Sequence, residues 1–232
     1  MDIFVIGQGK VGTALSNFLK NRNIRHEILQ DPPENASGIL FLAVPDSAVA
    51  LLLNEITEKN QGLFVVHFSA ATHFGDNRVF LLHPYSSVNA GSDFSRILFT
   101  LWGKKNKDFE EMLEKTGLKF VFCGVNPDLL YHISAVISGN FSQFFVLQAL
   151  DLLEGSGFSK EDSEKLIRQL VDSSLDNVFR DGIKGITGPA ARGENEVLQN
   201  EYKALAGKDA ALAELFKAVN EAILRVSKTD KT

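Results

Sequence analysis

"FVIGQGKVGTAL", residues 4–15, is the stretch on which the fold turns. Phe4, Val5 and Ile6 form an unbroken apolar run that stops at Gly7, as expected of a strand buried on both faces. Gly7, Gly9 and Gly12 follow in the spacing G-x-G-x-x-G, and apolar residues then return at Val11, Leu15, Phe18 and Leu19 with helical period. A strand entering and an amphipathic helix leaving give the glycines a meaning they lack alone. Gly7 permits the tight turn, Gly9 lets backbone approach a pyrophosphate, and Gly12 lets the helix pack on the strand. Free N–H groups at the helix start receive the phosphate charge. Gly7, Gln8, Gly9, Lys10, Val11 and Gly12 are therefore candidate cofactor-binding residues. A turn of this kind also occurs without a ligand.

The same motif calls for an acidic residue about 20 positions on, accepting from ribose hydroxyls. Asp31 stands there. A carboxylate repels a 2′-phosphate, so NAD is slightly favoured over NADP. Asp31 also suits the turn before Pro32 and Pro33, and Arg22 and Arg25 are near enough in sequence to keep NADP open.

Outward from this unit, 26–29, 39–44, 63–68 and 79–82 read as strands, with a helix over 47–56. Strands at 98–102 and 119–122 flank a helix over 107–114. The alternation predicts a doubly wound, mostly parallel sheet. The segment 31–34 leaves no room for a helix, so the second crossover is reduced to a loop. Ligands in such sheets lie beyond the carboxyl ends of the strands. Val44, Pro45 and Asp46, then His67, Phe68 and Ser69, then His83 and Pro84 occupy those ends. Val44, Pro45 and Ser69 join the cofactor set, while His67 reads as structural.

Beyond Gly124 and Pro127 everything has helical period, over 128–153, 160–180, 194–205 and 210–226. Two domains are expected, 1–125 binding dinucleotide and 126–232 all-α, with disorder after Lys228. Ser159 and Asp162 resemble a capping box. Residues 129–150 carry no charge, but their Ser, Asn, Gln and His content favours a buried central helix over a membrane span. Its apolar residues on every side predict a homodimer through the helical domain. Within it, His132 and Asn140 could flank one groove. Ser134, Ser138 and Ser142 form a stripe suited to close helix packing. In "ITGPAARGENEV", residues 186–197, Arg192 is a ready anion contact or the partner of a carboxylate.

The composition is that of a globular protein, 44% apolar and 23% charged. A net charge of −5 without like-charge runs argues against nucleic acid and anionic lipid as partners. The lone Cys123 precludes an internal disulfide, and no Cys/His cluster has metal spacing. The start of the chain shows no basic n-region, so a cytoplasmic protein without a signal peptide is expected.

Taken in order, "IGQGKVGTAL", "LAVPDSAV", "VHFSAA", "LLHPYSSV", "LYHISAVISGNF" and "ITGPAARGENEV" resemble a family of candidate oxidoreductases. Its members join a Rossmann-like NAD(P)-binding domain to a C-terminal helical domain of unknown function. They are distantly similar to pyrroline-5-carboxylate reductase and to the 6-phosphogluconate dehydrogenase and ketopantoate reductase groups. The resemblance implies a dimer, with a small polar substrate between the domains and His83, His132, Asn140, Thr187 and Arg192 facing the cleft. His132 is then the acid or base, Asn140 fixes substrate or the nicotinamide carboxamide, and Arg192 holds a substrate anion. No nucleophile or metal is required. The chain departs from the family at Gln30 and Asp31, where serine and arginine are common, at Glu194, where aspartate is, and at Ser134 and Ser138, where alanine is. The alternative function is a dinucleotide-binding sensor or regulatory dimer on the same fold, without turnover.

Overall fold

The computed structural model describes residues 1–70, 72 and 74–229. Seven strands make one sheet: β1 (Ile3–Ile6), β2 (Glu27–Leu29), β3 (Gly38–Leu42), β4 (Leu63–His67), β5 (Val79–Pro84), β6 (Leu98–Trp102) and β7 (Lys119–Gly124). Their spatial order is β2-β1-β3-β4-β5-β6-β7. Every pair is parallel except β5 and β6. The chain leaves β1 to one side for β2 and returns to the other for β3, so the direction of winding reverses at β1, where a crevice opens beyond the strand ends.

Period-2 alternation divides the core between the two faces of the sheet. Ile3, Val5, Ile39, Phe41, Val66, Phe80 and Leu82 meet Leu15, Phe18 and Leu19 of α1 (Lys10–Asn21) on one side. Phe109 and Leu113 of α3 (Lys107–Glu114) close the same face, the Phe109 ring stacking on Phe80 at 3.7 Å between centroids. On the other side Phe4, Ile6, Leu40, Leu42 and Val65 meet Val49, Leu53 and Ile56 of α2 (Asp46–Lys59). As expected, no helix separates β2 from β3.

The helical half comprises α4 (Leu129–Ala135), a π-helical turn (Val136–Phe141), α5 (Ser142–Gly155), α6 (Lys160–Asp181), the short α7 (Pro189–Arg192), α8 (Asn195–Ala206) and α9 (Ala210–Thr229). Ser159 caps α6 as its spacing indicates, its Oγ accepting from the Asp162 backbone N–H at 3.1 Å. The tail expected to be disordered falls on residues 230–232, outside the described residues.

Two expectations need correction. The chain divides into compact units at 143/144 rather than after residue 125. The reason is visible at Tyr131, whose ring packs against Trp102 of β6 and whose hydroxyl bonds to side chains on β5 and β6, tying α4 to the sheet. The uncharged helix is also not a buried central one. The helix over residues 129–155 is long and apolar enough to cross a membrane by length and composition, its most apolar 18 residues having a mean hydropathy of 1.3, yet none of that stretch is buried. Periodicity reports that a helix has apolar residues all round, and not whether its own chain covers them.

Candidate functional site

Gly7 has φ +104°, and a Cβ there would lie 2.2 Å from the Ala43 carbonyl oxygen. A Cβ on Gly12 would lie 2.0 Å from the Gly7 carbonyl oxygen. Both positions therefore admit only glycine for reasons internal to the turn. Gly9 is different. Nothing lies within 4 Å of its Cβ position, and it stands as the N-cap of α1 with no side chain bonded to the helix start. The turn thus presents open space in front of unsatisfied N–H groups, with no acidic residue in the first helical turn. These features fit the pyrophosphate of a dinucleotide.

Asp31 lies exposed two residues beyond β2. Since Leu29 of β2 pairs with Ile6 of β1, Asp31 and the glycine turn share the carboxyl edge of neighbouring strands. Arg22 and Arg25 do not. They follow the C-terminus of α1 and precede β2, at the amino edge of the sheet, and the Arg22 guanidinium sits 5.5 Å from the Phe18 ring centroid. A helix of 12 residues spans about 18 Å, so neither arginine is placed to meet a 2′-phosphate at the other edge.

A cleft of about 560 Å³ runs along the strand ends, reaching Val11 in the first turn of α1. Val11 of α1, Phe68 after β4, His83 of β5, and His132, Ser138 and Asn140 line it. An adjoining cleft of about 480 Å³ shares Phe68, His83 and His132 and adds Asp46, Ser69 and Asp128. All of these residues belong to the first unit. The exposed His132 ring therefore opens on the same cavity as the glycine-turn helix, His83 and Asn140. The wall carrying Asn140 is the π-helical turn, a distortion that often marks functional positions and that periodicity does not report.

His83 carries the most elaborate support. Its Nδ1 lies 2.7 Å from the Tyr131 hydroxyl, which lies 2.6 Å from Thr100 Oγ1, which in turn donates to the His83 carbonyl at 3.3 Å. Burial, then the neighbouring His132, hold the His83 pKa below the ordinary histidine value, against an opposing pull from Asp46. Burial likewise raises the Tyr131 phenol, though its bond to Thr100 works the other way. No local pattern singles out Tyr131 or Thr100, because the contact depends on the antiparallel pairing that sets Thr100 opposite His83.

The other candidates divide between the cleft walls and positions away from them. Val44 and Pro45 follow β3, with Pro45 the N-cap of α2, and His67 is buried in β4. Ser69 is buried and shares a hydrogen bond with Thr72 at 3.1 Å. Ser134 and Ser138 bond to helix carbonyls, Ser134 also meeting the Tyr85 hydroxyl at 2.7 Å. Thr187 and Arg192 belong to the second unit and line neither cleft. Arg192 is paired with Glu194 at 2.6 Å, the carboxylate pairing that the sequence left open. Among the described residues no group of His, Cys, Asp and Glu could hold a metal.

The family model "Domain of unknown function (DUF2520)" matches residues 102–223. No curated protein sequence matches the chain. Solved structures share its fold along nearly its full length. A candidate NADP oxidoreductase of Bacteroides fragilis superposes with a TM-score of 0.74 at 20% identity, over 97% of this chain and 98% of that one. Pyrroline carboxylate reductase of Plasmodium falciparum, with NADP bound, gives 0.61 at 16% identity over 97% and 98%. A reductive aminase of Aspergillus terreus, in complex with NADPH and ethyl levulinate, gives 0.66 at 15% identity over 98% and 94%. The fold is Rossmann-like, with a helical C-terminal region.

Proposed function

Because the chain belongs to the DUF2520 family, and because one cavity joins its glycine-turn helix to two histidines, we propose that it is a nicotinamide-dinucleotide-dependent oxidoreductase acting on a small polar substrate. Its relatives in fold include reductases of C=N compounds, which makes small carbonyl and imine compounds the first substrates to try. Bound nicotinamide supplies or takes the hydride. Gly9 and the N–H groups of α1 hold the pyrophosphate, with Val44, Pro45 and Ser69 beside it, and Asp31 accepts from the ribose. His132, open to the cleft, moves the proton at the reacting group. Asn140 fixes substrate or carboxamide, and His83 binds substrate. The cavity that joins the helix after the glycine turn to two histidines favours this reading over a sensor without turnover.

The exposed Asp31, with both nearby arginines at the far edge, favours NAD. Titration of intrinsic fluorescence should give tighter binding of NADH than of NADPH, and Asp31→Arg should narrow or reverse the difference by about tenfold, in keeping with one charge contact. Tighter binding of NADPH by the wild type would overturn the preference. Failure to bind either would overturn the function.

The exposed apolar residues of the helical half support a homodimer. Leu147, Leu170 and Phe179 are 63%, 63% and 85% exposed, more apolar surface than a lone chain leaves to water without purpose. A second copy covers such surface symmetrically. Light scattering at micromolar concentration should give twice the 25.5 kDa chain mass, and a monomer would refute the assignment.

A further inference from the structure

With the 3.3 Å contact of Thr100 Oγ1 on the His83 carbonyl taken as a hydrogen bond, the contacts around His83 leave one arrangement of protons. The His83 carbonyl can only accept, so Thr100 Oγ1 spends its single proton there. Thr100 Oγ1 must then accept from the Tyr131 hydroxyl, 2.6 Å away. Tyr131, its own proton spent on Thr100, can only accept from His83 Nδ1 at 2.7 Å. Neutral His83 is therefore protonated at Nδ1, and Nε2 is left with a bare lone pair. No partner for Nε2 is found among the described residues, and the ring lines both clefts.

We propose that Thr100 and Tyr131 are positioning residues that lock His83 as a hydrogen-bond acceptor in the cleft, so that the substrate carries an amine N–H or a hydroxyl at that point. The assignment rests on reading the cleft as a substrate site, but the proton arrangement itself does not. A substrate offering only a carbonyl or ether oxygen there would set two acceptors face to face. The low pKa of His83 keeps the lone pair free near neutral pH, where the facing groups are His132 and Tyr131 from α4 and Asp46 from α2. A site built to pair with one polar group rejects analogues that lack it, because its own group is then left unpaired. His83 is in this way a specificity-determining residue, distinct from the proton-transfer role given to His132.

Nitrogen-15 NMR of the histidine rings tests this on the protein without cofactor, His83 being assigned by the signals lost in His83→Gln. The wild type at pH 7.5 should show His83 protonated at Nδ1 and bare at Nε2. In Thr100→Val the Tyr131 proton loses its acceptor and turns onto Nδ1, so the proton on the ring should move to Nε2. Tyr131→Phe, which removes the lock altogether, should shift the tautomer ratio by about fivefold, the worth of one ordinary hydrogen bond. In the wild type the Nε2 resonance should move with methylammonium, which has donors, and not with tetramethylammonium, which has none. A wild-type ring protonated at Nε2, a ratio unchanged in both folded variants, or an equal or absent response to the two ammonium ions would each overturn the proposal. Dinucleotide titration stays a separate readout, so loss of the oxidoreductase reading and loss of the His83 lock are distinguishable.

Discussion

Gly9→Glu is expected to abolish dinucleotide binding, weakening the affinity for NADH and NADPH by about 10²-fold or more, while the fold persists. The three glycines of the turn separate these two outcomes. Side chains at Gly7 or Gly12 would strike backbone oxygens at 2.2 and 2.0 Å, so substitution there breaks the turn and reports nothing specific about the ligand. At Gly9 φ is −69° and no atom lies within 4 Å of the Cβ position, so glutamate is accommodated without strain. Its side chain enters the space in front of α1, where its carboxylate competes for the N–H groups meant for phosphate and repels the phosphate charge. A hundredfold loss corresponds to about 2.7 kcal/mol, well within the reach of a like charge in partly desolvated surroundings. Fluorescence titration reads the affinity, and thermal unfolding within a few degrees of wild type shows that the fold survives. Wild-type affinity in a folded Gly9→Glu variant would remove the glycine turn from the cofactor site.

Turnover should fall by about 10²-fold or more in His132→Gln, with dinucleotide affinity little changed. Glutamine keeps the polarity and approximate size of the side chain and removes only the imidazole that exchanges the proton. The residue is exposed at the boundary of two adjoining clefts, across from His83, with Asn140 farther along the same wall. On an ideal helix the eight residues separating His132 from Asn140 span about 12 Å, too far for both to reach one atom, so proton transfer and ligand positioning fall to different residues. The assay follows dinucleotide absorbance with small carbonyl and imine compounds. A folded His132→Gln variant that retains full turnover would move proton transfer elsewhere, and full turnover together with lost dinucleotide affinity would make His132 a binding residue instead.

The order of strands and helices, the glycine turn, the missing second crossover and the helical second half were all legible in the chain. Each rests on short-range regularities: apolar runs for strands buried on both faces, period 3.6 for helices, and glycine where a Cβ would collide with Ala43 or Gly7. His132, near the start of a helix, and His83, at a strand end, were singled out by position and by the family motifs, and both line the cleft. Tertiary structure decided the rest. The antiparallel pairing of β5 with β6 sets Thr100 beside His83, and α4 folding onto that pair brings in Tyr131 and moves the division of the chain to 143/144. Arg22 and Asp31 lie only nine positions apart in sequence, but α1 carries the chain from one edge of the sheet to the other and β2 brings it back, so of the two only the aspartate lies at the carboxyl edge. Whether the apolar helix over 129–155 is covered by its own chain was equally beyond the sequence. Local pattern fixes which residues share a face or a turn, whereas what that face meets depends on contacts between segments far apart in the chain, and those contacts exist only in the folded molecule.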